Sequence, residues 1–184
     1  MTEYIAPGNI QRLDELHSDI FYLSVWHAES LRNFRSAAKN NTGIFACENI
    51  IIQPPRSLSD TDGNELLGWP HWILKCLYSD VGLMFGKFWI GEEDTSREGT
   101  AIPKPPCHFI SIRSAIKDSD PYFLSATPKI GQEIINSCDD GSNVHKKITQ
   151  MLPEMPSIHE MREANYYSIA REWAQNELDL ITTA

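Results

Sequence analysis

No run of apolar residues in this chain approaches the ~20 that a membrane-crossing helix requires, so no membrane partner is expected. The opening M-T-E-Y-I-A-P-G lacks the basic and apolar regions of a signal peptide, which points to a cytoplasmic protein. Positive charge is also short: sixteen Lys and Arg stand against twenty-five Asp and Glu, for a net charge of -9, and they are scattered rather than gathered in a stripe. Such a field repels phosphates and argues against nucleic acid. Cysteine is limited to Cys47, Cys76, Cys107 and Cys138, with no Cys-x-x-Cys pair. Each lies in or beside an apolar segment, a pattern of buried free thiols rather than of disulfides or zinc ligands. Gly82, Gly86 and Gly91 match neither G-x-G-x-x-G nor a phosphate loop, and there is no G-x-S-x-G elbow. The histidines form no H-x-x-x-H, His-Glu-x-x-His or Cys-x-x-Cys-His motif, and no metal site is expected.

What remains is a chain of 184 residues, 41% of them hydrophobic, long enough for one substantial core and without a linker-like tract. We read residues 1–184 as a single domain, with a sheet core over about 20–124 and a helical C-terminal part over about 127–182. Ile10, Leu13 and Leu16 give Asn9 to Leu16 the spacing of a short helix, and the aromatic and branched run Ile20 to Trp26 reads as a strand. Ala28 to Lys39 reads as a surface helix ended by Asn40 to Gly43. Ile44 to Gln53 is a strand stopped by Pro54-Pro55, and R-S-L-S-D-T-D-G-N a surface loop. Pro70 suits the first turn of a helix reaching about Ser79. Val81 to Gly91 and Cys107 to Arg113 are strands joined by a long polar loop, the first apolar on both faces and therefore expected to be central. Thr127-Pro128 opens a helix to about Ser137, Asn143 to Met151 suits another, and Ser157 with Glu160 forms a capping box for a C-terminal helix expected to pack on the sheet. The order β-α-β-α-β-β followed by helices is that of an α+β protein, a mixed or antiparallel sheet covered by helices. A ferredoxin-like core is the first expectation, and a twisted sheet of different strand order the alternative.

Polar residues inside these apolar strands mark the candidate site. Alternation places Leu83, Phe85, Lys87 and Trp89 on one face of the first strand, so Lys87 either snorkels to the rim or meets an anion. Arg113 follows Phe109 and Ser111 on its strand, and it can grip a ligand carboxylate in two-pronged fashion or pair with Asp118 or Asp120. His108, with Ile110 and Ile112, lines the opposite face. His71 and Lys75 are four apart on one helix face.

G-L-M-F-G-K-F at Gly82 to Phe88, I-R at Ile112-Arg113 and D-P-Y-F-L at Asp120 to Leu124 resemble an uncharacterised family of small bacterial proteins, over roughly residues 44 to 124. That family carries a Gly-Leu-Met-hydrophobic-Gly-acid-Phe-His stretch, so Lys87 stands here for its acid and Trp89 for its His. A role held by that His in relatives is lost or moved in this chain. The resemblance implies small-molecule metabolism. The expectation is a small-molecule enzyme, a tailoring step in specialised metabolism, with an aromatic-lined pocket in which Arg113, Lys87 and Trp89 bind an anionic substrate while His108 or Asp120 moves protons. A variant places haem there, held by His71 or His108. The alternative is a non-catalytic ligand-binding or protein-interaction module, a homodimer included, that docks through Trp69, Trp72 and Trp89.

Overall fold

The computed structural model describes residues 1–38, 45–95, 99–148, 154 and 156–182. Strand β1 (Thr2–Ile5) leads into α1 (Leu13–Ala37), then β2 (Cys47–Gln53), α2 (Gly63–Tyr78), β3 (Leu83–Phe88) and β4 (His108–Ser114), and α3 (Pro128–Asn136), α4 (Ile158–Glu163) and α5 (Tyr166–Thr182) follow. The sheet order is β1-β2-β4-β3, with β1 and β2 parallel and the other pairs antiparallel. The protein is thus α+β with a mixed sheet and a helical C-terminal part. The strand order is not the ferredoxin-like one, because the parallel pair is adjacent and β4 lies between β2 and β3.

The order β-α-β-α-β-β is present, but its first strand is β1 and not Ile20–Trp26, which lies inside α1. Leu16, Ile20, Ser24, Ala28 and Leu31 are buried at helical spacing while Trp26 is exposed. A period near 3.6 held over 25 residues outweighs the local β preference of an aromatic run. Pro70 sits within α2 instead of opening it. The helix starts earlier, at the Asp62 cap, whose carboxylate accepts from the Asn64 N–H at 2.9 Å, and so absorbs the end of the expected loop. Strand β3 is an edge strand, not a central one. Its two apolar faces have separate covers: Leu83 and Phe85 join the core under α2, and Met84 packs against Leu124, Ile130 and Ile134 around α3. The expected helix over Asn143 to Met151 is a short 3₁₀ turn, Val144–Lys147, and the stretch beyond Ile148 lies outside the described residues, as do Lys39 to Ile44. The Ser157–Glu160 capping box is present, with the Ser157 N–H on Glu160 at 2.8 Å. Its helix is short, and the chain turns at Asn165, φ 50°, into α5.

Ile50, Ile52, Ile110 and Ile112 face α1 and α2 across the main core. Helix α5 packs on α2 and α1 rather than on the sheet. Helix α2 therefore lies between sheet and α5. All four cysteines are free, yet only Cys76 is buried; Cys107 is half-buried and Cys47 and Cys138 are exposed.

Candidate functional site

One side of α2, along the β3 edge of the sheet, carries Asn64, Gly68, His71, Trp72 and Lys75 at spacings of four, three and one. That is one helical stripe, but it holds aromatic and polar groups where a packing stripe would hold aliphatic ones. Trp72 ties it to α5, its indole N–H donating to the Ala174 carbonyl at 2.9 Å. Beside this anchor lies a cleft of about 440 Å³, lined by Asn64, Glu65, Gly68, Trp69, His71 and Trp72 from α2, Lys87 from β3 and Leu178 from α5.

Lys87 reaches this cleft because alternation puts it on the helix-covered face, near the edge where α2 begins. Its Nζ donates to the neutral Asn64 Oδ1 at 2.5 Å and lies 5.6 Å from the centre of the Trp89 ring. Burial lowers its pKa, with Glu92 and Asp62 opposing from a distance. Lys75 lies 6.0 Å from the centre of the Trp72 ring. Its pKa is lowered by burial and then by the field of Lys87. Among the described residues neither lysine is in an ion pair. His71 shares a hydrogen bond between Nε2 and the Phe85 carbonyl at 2.9 Å. A carbonyl only accepts, so Nε2 carries the proton, and burial holds the pKa down at about 3. The imidazole is neutral at neutral pH.

Trp89 packs on Gly63, the first residue of α2, so closely that a methyl at position 63 would overlap its indole. On β4, the pairing that sets Lys87 beside Ile110 places His108 at the same end of the sheet. His108 Nδ1 is buried without a hydrogen-bond partner among the described residues; burial lowers its pKa and Asp62 opposes. The start of α2 thus gathers Lys87, Trp89 and, through Asp62, His108, while His71 faces the cleft about two turns further along.

Arg113 and Asp120 are joined to each other instead. Two hydrogen bonds of 2.8 Å connect guanidinium and carboxylate, and the Ile116 N–H adds a third to Asp120 at 2.6 Å. Asp120 is buried; burial pushes its pKa up, but these bonds outweigh that and leave it below the usual carboxylate range. Neither residue lines the cleft. Asn64 and Glu65 line the cleft and were missed as site residues from sequence, although the spacing of Asn64 with His71 and Trp72 was readable. No group of three or more His, Cys, Asp or Glu suited to a metal ion occurs among the described residues.

Comparison with known proteins places no name beside this geometry: no family model, no curated protein and no solved structure matches the chain.

Proposed function

We propose that this protein binds a small molecule with an apolar body and an anionic group in the cleft between α2 and α5. The observation that carries this reading is Lys87, a partly buried ammonium group that lines a tryptophan-walled cleft without an ion-pair partner among the described residues, with the likewise unpaired Lys75 beside the Trp72 ring that forms one wall. In a chain of net charge -9, acidic side chains are plentiful, so two unpaired cations held near each other favour a ligand that brings its own charge. Trp69, Trp72 and Leu178 supply the apolar walls, and Asn64 holds Lys87 in place while leaving its charge uncancelled. The wider expectation, a tailoring enzyme of the family resembled above, rests on the resemblance alone, and a haem held by His71 or His108 has no comparable support.

Docking through Trp69, Trp72 and Trp89 is less favoured, because all three are half-buried against the protein itself. The binding reading predicts that the purified chain retains an acidic small molecule visible by native mass spectrometry, and that Lys87→Met combined with Lys75→Met releases it. Retention of the same molecule by the double variant, or of a neutral or basic one by the wild type, counts against it.

A further inference from the structure

Trp69 also borders a second cleft, of about 590 Å³, between the first turns of α1 and the outer part of α5, where Asp14, Ser18, Tyr167, Arg171 and Glu172 are among its walls. The Arg171 guanidinium stacks on the Trp69 ring, 4.9 Å from its centre, and makes no ion pair among the described residues. Tyr167 is 4% exposed and its hydroxyl has no hydrogen-bond partner among the described residues, although its backbone N–H is held by Tyr22 at 3.0 Å. A buried phenol left unpaired is costly, and a group that entered the cleft and bonded to it would remove the cost. Burial raises the Tyr167 pKa, while Arg171 and Asp14 act on it with opposite signs, so both charges lie near this hydroxyl.

The charges on the walls select the ligand. Arg171 disfavours a simple cation, and Glu15 and Glu172 disfavour a simple anion, while Asp14 is already paired with Arg12. Arg171 also covers the Trp69 face on which a sugar ring would stack. We propose that this cleft binds a small zwitterion of the free amino acid type, its carboxylate on Arg171 and the Tyr167 hydroxyl and its ammonium toward Glu172.

The test is a titration of the full chain with a pool of common free L-amino acids and then with its members singly, followed by tryptophan fluorescence and thermal melting. Butyrate and n-butylamine serve as single-charge controls. At least one amino acid should bind, with either control weaker by about tenfold, the worth of one charge-assisted contact. Arg171→Gln should weaken that binding by about tenfold. Tyr167→Phe should weaken it by about threefold while melting no lower than wild type, because it removes a hydroxyl that no described residue bonds. Lys87→Met should leave it unchanged, which keeps this outcome separate from that of the neighbouring cleft. The proposal is overturned by the absence of any response up to roughly 10 mM, an affinity too weak to indicate a site. It is equally overturned by butyrate binding as tightly as the amino acid, or by either cleft variant binding like wild type.

Discussion

Arg113 and Asp120 show how a single residue's surroundings decide between two roles that sequence leaves open. The guanidinium that could have held a ligand holds the protein's own carboxylate, through paired 2.8 Å bonds, and braces the turn after β4 through Ile116. Asp120→Asn leaves the Arg113 charge unanswered and should cost about 1–3 kcal/mol in chemical denaturation. Arg113→Lys keeps a charge at a partly exposed site but loses the fork, so its loss should be smaller. Because the folded state lowers the Asp120 pKa, the contribution is present above the unfolded value near ~3.9 and fades as pH falls through the folded one. Equal stability of Asp120→Asn and wild type at neutral pH would remove this structural role.

At the scale of elements, the start of α2 organises the cleft. Asp62 caps it, Gly63 admits the Trp89 indole, Asn64 holds Lys87, and the stripe through Gly68, His71 and Trp72 forms the wall. Gly63→Ala should cost about 1–3 kcal/mol, typical of forcing a methyl into filled space. It should also shift the tryptophan emission as Trp89 moves; an unchanged spectrum and stability would mean that this packing is loose. Much of this was legible in the sequence. Alternation placed Lys87 and Trp89 on one face and His108 opposite Arg113, and the turn residues gave α3 and the Ser157 cap. The strand assigned to Ile20–Trp26 failed because a short aromatic run looks alike in both periods, and only the spacing from Leu16 to Leu31 separates them. Strand β1 was missed because four residues carry too little pattern, and its parallel pairing with β2 is a long-range choice. The cleft itself depends on how α5 lies on α2, which no local spacing encodes.

Across the whole molecule, buried neutral histidines link stability to acid. His145 is wholly buried between Tyr166, whose hydroxyl is 2.8 Å from Nδ1, and Tyr78, and it joins α2 to the C-terminal helices. Burial, assisted by the field of Arg32, holds its pKa at about 3, and His71 is held as low. The unfolded chain protonates these rings near ~6.5 while the folded chain does not, so stability is full above that pH and falls as pH drops toward the folded value. Each histidine should contribute a slope of up to about 1.4 kcal/mol per pH unit in that window. Urea unfolding between about pH 7 and about pH 5 should show the decline, and His145→Gln, weaker at the start, should decline less steeply. A variant that tracked the wild-type slope would place the acid sensitivity elsewhere.

The central claim, that the Trp-walled cleft takes an anion through Lys87, is tested most directly by calorimetric titration with 2-naphthoate and its neutral isostere 2-naphthamide, against wild type and Lys87→Met. The acid should bind wild type more tightly than the amide by roughly tenfold or more, the worth of a charge-assisted hydrogen bond in a partly buried site. Lys87→Met should erase that preference while keeping the weaker affinity for the amide. Equal binding of acid and amide by the wild type, or an unchanged preference in Lys87→Met, would contradict the account.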